Sequence, residues 1–262
     1  MSSPARALYN NLGVTATWSQ TTGGAATGYP LTNLNNDKRS RLFRSTTTTG
    51  HQVIVATLST ATTLYAIFLA NWRAHASGGT IKIETKNGGG AYSNFGGGTG
   101  LCSLPASNRT KLTGLWNTGG TVATDIRITF TNTGGVSDYV ELGLAFIAGT
   151  TGYFAATSNL SDNGYQYRPK DNSQRAVTVG MQEEFNLLPT LLTLTATFEW
   201  MALAQQQAML AMHDAAGTSR PVIFAPNPDS LDEIAYGRFS KFNPIYETLD
   251  QWTVDLEFQE AA

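Results

Sequence analysis

Cysteine, histidine and charged side chains are all scarce in this sequence of 262 residues, which contains 1 Cys, 3 His and 14% charged residues. A single cysteine, Cys102, excludes an intramolecular disulfide framework and a cysteine-based zinc cluster. The formal net charge is only −2, so bulk charge does not predict a protein that coats nucleic acid or an anionic membrane. The longest mainly apolar run, TLYAIFLANW, is far too short to span a bilayer. We therefore expect no membrane insertion and no direct nucleic-acid readout.

The N-terminal segment MSSPARALYNN lacks the apolar stretch of a signal peptide. Together with the single cysteine, this predicts synthesis and folding in a reducing cytoplasm. That expectation leaves the final location of the protein open, because virus particles also assemble there.

Alternation of apolar and polar residues predicts a mainly β protein. The 26 glycines and the recurring threonines favour turns and strands over helical bundles. Two-residue periodicity with one polar face is typical of antiparallel sheet that is solvated on one side. The inward-facing residues predicted in four such segments are Ile126, Ile128 and Phe130; Val140, Leu142, Leu144 and Phe146; Leu192, Leu194, Ala196, Phe198 and Trp200; and Trp252, Val254, Leu256 and Phe258.

One segment, MALAQQQAMLAMHDAAG, predicts a helix over about residues 201–215, because Ala, Leu, Met and Gln are good helix formers. Gly217 is a natural C-terminal stop. Leu203 and Leu210 are seven residues apart and share a face, which we expect to pack on a sheet. An interaction helix is the alternative interpretation.

The residues near 150–172 mark a domain boundary, because TGYFAATSNLSDNGYQYRPKDNS is polar and has no clear period. We therefore predict a first domain over residues 1–155, a connector over 156–174, and a second β domain with the helix over 175–262. A hydrophobic content of 41% is enough for packed cores.

The densest cluster of positive charge lies in NLNNDKRSRLFRS, residues 33–45, and contains Lys38, Arg39, Arg41 and Arg44. Four cations could hold a phosphate or an acidic glycan. In the alternative interpretation Leu42 and Phe43 pack inward, and the arginines bridge loop carbonyls and acids such as Asp37. We favour the structural interpretation, because few aromatic residues that could stack on bases lie nearby.

Catalysis finds little support in the sequence, and we predict a protein that is not an enzyme and has no cofactor. The histidines are far apart, and neither HExxH nor GxSxG occurs. Glu183 and Glu184 are adjacent on a predicted strand, so their side chains point to opposite faces. A metal site needs more ligands than the acidic loop PNPDSLDEI gathers, and no metal is expected.

The order of segments in residues 10 to 150 resembles the galactose-binding-like, or discoidin-type, jelly roll, particularly the form in bacteriophage virion proteins. GYPLTNLNNDKRSRLFRS precedes HQVIVATLSTATTLYAIFLANW and TIKIETKNGGG, and then DIRITFTNTGGVSDYVELGLAFIAG follows. The resemblance implies an antiparallel jelly-roll β-sandwich. It also places a variable loop at LANWRAHASGG, where Asn71, Trp72, Arg73 and His75 are the candidate glycan-binding residues. The alternative is that Trp72 only caps the core. No loop clearly matches the calcium site of this family.

Residues 175 to 260 resemble the tail-tube-like domain of phage distal-tail and tail-tip proteins, in the order LLTLTATFEW, helix, RPVIFAPNP, IAYGRFSKFNPIYE and WTVDLEFQE. The resemblance implies a structural component of the virion tail, assembled in the host cytoplasm. In that role a homo-oligomeric ring of six or another multiple of three subunits surrounds the tail channel. The expected partners are other phage tail proteins and a host-surface glycan. The alternative function is a carbohydrate-binding module that attaches to cell-surface glycans. A third class, a glycoside hydrolase subunit, requires two carboxylates across a cleft.

Overall fold

The computed structural model describes residues 3–38, 40–46, 51–73, 79–104, 112–131, 139–156, 160–170, 174–177, 183–186, 191–248 and 251–260. The strands and the α-helix run in the order β1 (Arg6–Leu8), β2 (Thr17–Gln20), β3 (Phe43–Arg44), β4 (Gln52–Ala70), β5 (Thr80–Lys86), β6 (Ser93–Asn94), β7 (Thr113–Thr131), β8 (Glu141–Leu142), β9 (Leu144–Gly149), β10 (Tyr153–Ala155), β11 (Leu160–Lys170), β12 (Gln174–Val177), β13 (Glu183–Asn186), β14 (Leu191–Met201), α1 (Leu203–Ala216), β15 (Val222–Ala225), β16 (Ala235–Thr248) and β17 (Gln251–Glu260). The prediction of a mainly β, antiparallel protein is confirmed. Within these residues no helix is long and apolar enough to cross a membrane.

The chain divides into two compact units, Asn10–Tyr153 and Met1–Tyr9 with Phe154–Ala262. In the Asn10–Tyr153 unit the main sheet has the order β2-β4-β7-β5-β6, with β9 paired to β4, and β3 pairs with β8 separately. β2 pairs with the first half of β4 and β9 with its second half. Between the two halves the register with β7 shifts, which is how a bulge bends a long strand. Residues from both halves of β4, including Ile54 and Ile67, lie in the same core.

That core follows the predicted alternation in β7. Ile126, Ile128 and Phe130 are all fully buried, while Arg127 and Thr129 between them are half-buried. Phe43 is also 0% exposed and lies in the core, as the structural interpretation of the basic segment expects, whereas Leu42 beside it is only half-buried.

A buried asparagine near the start of this unit joins three segments. Asn11 is 9% exposed. Its Oδ1 accepts hydrogen bonds from the backbone N–H of Gly13 at 2.9 Å and from that of Ile147 in β9 at 2.9 Å. Its Nδ2 donates to Oδ1 of Asp37 at 3.0 Å. Gly13 fits so closely here that an added Cβ would lie 2.4 Å from the carbonyl oxygen of Ala145.

The segment YVELGLAF departs from the single alternating strand that its sequence predicts. Val140 and Leu142 do face the core. At Gly143 the strand breaks into β8 and β9, and Ala145 and Ile147 take the core positions instead of Leu144 and Phe146. Every residue of β9 is buried, so alternation between apolar and polar residues no longer marks which side faces the core.

In the second unit seven described strands form a sheet of order β10-β1-β15-β16-β17-β14-β11, and β12 pairs with β13. The predicted inward faces of β14 and β17 are confirmed at Leu194, Phe198, Val254, Leu256 and Phe258, which are at most 3% exposed. The helix α1 packs its methionines on this core.

Trp200 is a correction to the prediction for β14, because its side chain is 62% exposed. The pairing with β17 shifts between Phe198 and Met201, and Trp200 has a left-handed φ of 57°. The extra residue of this bulge turns Trp200 outward and gives the inward position to Met201, which is 0% exposed.

The packed face of α1 also differs from the predicted one. Leu203 is 45% exposed and Leu210 is half-buried. The buried residues of the helix are Gln205, Gln206, Met209, Met212 and Ala216. The long methionine side chains fill this core in place of leucine. Gly217 ends the helix as predicted, with its N–H bonded to the carbonyl oxygen of His213 at 2.6 Å.

The predicted limits are a first domain over 1–155, a connector over 156–174 and a second domain over 175–262. The first unit of the structure instead begins at Asn10 and ends at Tyr153, and no separate connector follows it. Met1–Tyr9 belongs with Phe154–Ala262, because β1 pairs with β15. The predicted connector contains β11, which pairs with β14. Tyr165 and Tyr167 pack against the core while Gln166 is exposed. This alternation covers too few residues to predict a strand from the sequence. β11 lies at the sheet edge, where its Pro169 is tolerated.

Candidate functional site: an arginine–tyrosine stack in the Asn10–Tyr153 unit

The short strand pair β3–β8 fixes an ion pair at the surface. Because side chains alternate along a strand, Phe43 points into the core and Arg44 points outward. Arg44 lies directly opposite Glu141 in the strand register. Its Nε and Nη2 donate to Oε1 of Glu141 at 2.8 and 2.5 Å. Their side chains are 27% and 14% exposed, and the hydrogen bonds that Arg44 donates to Glu141 raise the pKa of Arg44 above its usual value.

Two tyrosine rings contact the same guanidinium group. The Cζ of Arg44 lies 4.2 Å from the ring centroid of Tyr29 and 4.2 Å from that of Tyr139. These distances are those of cation–π contacts. Tyr29 lies in the loop before β3, and Tyr139 lies just before β8. The two ring contacts of Arg44 therefore connect parts of the chain that are far apart in sequence.

Arg73 adds a second arginine to these contacts. It pairs with Glu141 of β8, the same residue that lies opposite Arg44 of β3. Its backbone forms an isolated antiparallel bridge with Glu141 through hydrogen bonds of 2.9 and 3.1 Å. Its Cζ lies 4.5 Å from the Tyr139 centroid, and its Nη1 donates to the Tyr139 hydroxyl at 2.6 Å. We call the residues Tyr29, Arg44, Arg73, Tyr139 and Glu141 the Arg–Tyr stack. Arg73 is exposed, whereas both tyrosines are half-buried.

The residues between β4 and Arg73 show how the chain presents this arginine. Asn71 has a left-handed φ of 49°, a conformation that asparagine adopts more readily than most residues. Trp72 then packs against the core of the unit. Its Nε1 is buried and has no hydrogen-bond partner among the described residues. Trp72 therefore behaves as a core-capping residue.

The structure thus brings one of the predicted glycan-binding residues, Arg73, to side chains that sequence reasoning did not include. Asn71 and Trp72 precede it in the chain, and His75 lies outside the described residues. Tyr29, Tyr139 and Glu141 were missed as site residues. The alternation in DYVEL offered a signal for two of them, since it places Tyr139 and Glu141 opposite the core-facing Val140 and Leu142.

The basic segment divides into different roles. Arg44 belongs to the stack, Lys38 and Arg41 are exposed, and Arg39 lies outside the described residues. The contacts of Arg44 agree with the structural interpretation of the segment. The hydrogen bond described for Asp37 comes from Asn11.

A second charged surface lies on the outer face of the main sheet. Glu84 bonds to Nζ of Lys82 at 2.9 Å and to Nη2 of Arg127 at 2.7 Å, and the Cζ of Arg127 lies 4.0 Å from the ring centroid of Tyr92. Burial alone would raise the pKa of Glu84, but the hydrogen bonds from Lys82 and Arg127 outweigh it and lower that pKa. These cross-strand contacts stabilise the sheet.

The described residues contain no group of three or more His, Cys, Asp or Glu side chains that could hold a metal ion. Burial raises the pKa of the Cys102 thiol to about 12, so the thiolate that a nucleophile needs is scarce at neutral pH. In the acidic loop, Asp229 accepts hydrogen bonds from the backbone N–H and hydroxyl of Ser3 at 3.0 and 2.8 Å.

No protein-family model matches this chain, and no curated protein matches it. Several solved structures are similar to about half of it. Chitosan-binding module 1 of a chitosanase/glucanase from Paenibacillus sp. IK-5 is 18% identical, with 54% of this chain and 100% of that chain covered and a TM-score of 0.42. The module CBM32-1 of a family 31 glycoside hydrolase from Clostridium perfringens is 10% identical, with coverage of 53% and 98% and a TM-score of 0.41. The lectin domain of lectinolysin, complexed with Lewis B antigen, is 10% identical, with coverage of 54% and 97% and a TM-score of 0.42.

Proposed function

We propose that the Asn10–Tyr153 unit is a carbohydrate-binding module and that the Arg–Tyr stack, with Asn71 near Arg73, is its glycan site. The observation that carries the proposal is the contact of two tyrosine rings with two guanidinium groups at the surface of the unit. Sugar sites combine aromatic rings with a few placed polar groups. The stack supplies both kinds of group on paired backbone segments, so little ordering is needed on binding.

Binding without catalysis is the expected activity of this surface. A glycoside hydrolase needs two carboxyl groups across the scissile bond. The Arg–Tyr stack contains one carboxylate, Glu141, whose Oε1 accepts both hydrogen bonds from Arg44. Such a carboxylate serves to orient the arginine.

A glycan array probed with the labelled full-length protein tests this function. We expect a small set of related glycans to bind, and Tyr139→Ala to weaken that binding about tenfold or more, because the ring contacts both arginines. Tyr92→Ala is the matched control, since Tyr92 also stacks on an arginine of this unit but lies on the other charged surface. Failure of every glycan to bind, or an equal loss in both variants, would contradict the proposed site.

We propose as a second candidate function a structural role in a bacteriophage tail, which requires contacts between subunits, and the other unit has an open sheet edge at which such a contact could form. β15 pairs with β16 only at Ala235–Gly237. For the rest of β16 the described strand partner is β17 alone. This open edge carries Ile245 and Tyr246, which are 40% and 57% exposed. An unpaired edge is where another chain can add a strand. Lys241 and Pro244 on the same strand discourage unselective pairing.

In this role the protein would form a homo-oligomeric ring of six or another multiple of three subunits, with other phage tail proteins as neighbours in the virion. The glycan site would then hold the particle to a host surface. Native mass spectrometry of the purified protein, followed by electron microscopy of particles, tests the assembly. We expect rings that Tyr246→Asp disrupts, because a charge on the open edge opposes pairing. A monomer at every concentration, absent from particles, would exclude this role.

A further inference from the structure

We propose that Lys38 and Arg41, two exposed cations in the loop before β3, form an anion subsite beside the Arg–Tyr stack and select glycans that carry a carboxylate or sulfate group. This inference rests on the proposed glycan-binding function and names the class of sugar that the unit takes. The basic segment of residues 33–45 then has two roles, because Arg44 stabilises the fold and the other two cations contact the ligand.

A backbone hydrogen bond places the two cations close together. The N–H of Arg41 donates to the carbonyl oxygen of Lys38 at 3.1 Å, and a bond between residues three positions apart closes a turn. In such a turn the two Cα atoms lie within about 7 Å of each other. Lysine and arginine have long side chains. The ammonium group of Lys38 and the guanidinium group of Arg41 can therefore reach the same anionic group.

Asparagine side chains hold the loop that carries this turn. On the N-terminal side, the N–H of Lys38 donates to Oδ1 of Asn36 at 2.7 Å. Nδ2 of Asn36 in turn donates to the carbonyl oxygen of Asn33. On the C-terminal side, Nδ2 of Asn33 donates to the carbonyl oxygen of Leu42 at 2.8 Å. The backbone is thus fixed on both sides of the turn, and little ordering of the loop is needed when a ligand binds.

The positive charges of Lys38 and Arg41 are uncompensated within the part of the chain that the structure describes. Both side chains are exposed, and neither takes part in a described ion pair or side-chain hydrogen bond. Arg44 differs from them, because it forms the ion pair of the stack. The adjacent carboxylate of Asp37 accepts a hydrogen bond from Nδ2 of Asn11. Unpaired positive charge at a surface raises the local concentration of anionic ligands.

The turn is directly connected to the Arg–Tyr stack. Arg41 lies three positions before Arg44 in the chain, and the N–H of Arg44 donates to the carbonyl oxygen of Tyr29 at 3.3 Å. Sugar sites combine aromatic rings with a few placed polar groups. A carboxylate or sulfate accepts charge-assisted hydrogen bonds, which are roughly twice as strong as neutral ones. Two free cations beside the tyrosine rings therefore favour an acidic sugar over a neutral one.

The test is calorimetric titration of the full-length protein with three probes: an oligogalacturonate, its fully methyl-esterified form and a heparin octasaccharide. The first two share a sugar backbone and differ only in charge, and heparin adds sulfate groups. We expect one or both acidic probes to bind at least about tenfold tighter than the methyl ester. This advantage should shrink as salt is added, because salt screens exposed charges.

A double variant, Lys38→Gln with Arg41→Gln, should weaken binding of the acidic probes about tenfold or more. Its melting temperature should stay near that of the parent protein, because both side chains are exposed. Arg220→Gln with Arg238→Gln is the matched control, since it removes two exposed arginines of the other unit and changes the net charge equally. The control should keep the preference for acidic probes.

An equal loss of binding in the two double variants would overturn the inference, because net charge alone would then explain the preference. Acidic probes that bind no better than the methyl ester would also overturn it, and neutral glycans bound on the array would leave the proposed function standing. Absence of binding to every probe and to every glycan on the array would overturn both. A DNA duplex that binds more tightly than either acidic probe would overturn the assignment to a glycan and identify nucleic-acid phosphate as the ligand.

Discussion

Replacing Asn11 with alanine should destabilise the Asn10–Tyr153 unit more than an ordinary loss of one hydrogen-bonding side chain. The change leaves the backbone N–H groups of Gly13 and Ile147 without the oxygen that accepts from both. Both hydrogen bonds are buried, and each buried group left unsatisfied costs about 1–2 kcal/mol. The expected loss in the free energy of unfolding is therefore about 3 kcal/mol.

The loss of unfolding free energy can be measured as a decrease in the melting temperature. A unit spanning Asn10–Tyr153 has an unfolding entropy of about 0.3 kcal/mol/K, so the expected decrease is about 10 °C. Differential scanning calorimetry of the full-length protein measures it, and hydrogen exchange should show faster exchange at the amides of Gly13 and Ile147. Asn117→Ala is the matched control, because Asn117 is half-buried and its described hydrogen bond goes to a nearby threonine hydroxyl, that of Thr121, at 2.6 Å. The reasoning would be refuted if both variants lowered the melting temperature equally.

Two further predictions concern titratable groups of the same unit. Because the folded-state pKa of Glu84 lies below its ordinary value, the contribution of Glu84 to stability is present above its unfolded-state pKa and is lost as pH falls through its folded-state pKa. Urea unfolding across the acid range should therefore show a smaller loss of unfolding free energy in Glu84→Gln than in the parent protein. An unchanged pH dependence in the variant would contradict the ion-pair network. Since the pKa of Cys102 is about 12, its thiol should react with iodoacetamide at neutral pH only after denaturation, and mass spectrometry of the native protein showing rapid alkylation would argue against its burial.

Alternation predicted the strands well where one face meets a core and the other meets solvent, as in β7 and β17. It failed where that contrast disappears. β9 is buried on both sides, and a bulge moves Trp200 to the surface although its sequence position in an alternating strand indicates burial. A bulge leaves no reliable mark in the sequence, because it depends on how the neighbouring strand pairs.

The candidate site was predictable only in part for a similar reason. Arg73 was identified from its loop, and Arg44 from its basic segment. Their connection through Tyr139 depends on the pairing of β3 with β8, which joins residues that are 97 positions apart. Neither composition nor local periodicity contains information on that pairing.

The position of β1 has a consequence for how the protein is made. Residues 6–8 are synthesised before the other strands of their sheet, yet their strand lies between β10 and β15 and hydrogen-bonds to residues 223–225. The Asn10–Tyr153 unit is therefore an insertion between the first strand and the remainder of the other unit, and it can fold on the ribosome while β1 still lacks its partners. A fragment that starts at Phe154 would lack an internal strand of its sheet. Separating the two units by genetic means thus requires moving residues 3–9 to a new place in the chain, for example by circular permutation, rather than cutting the chain once.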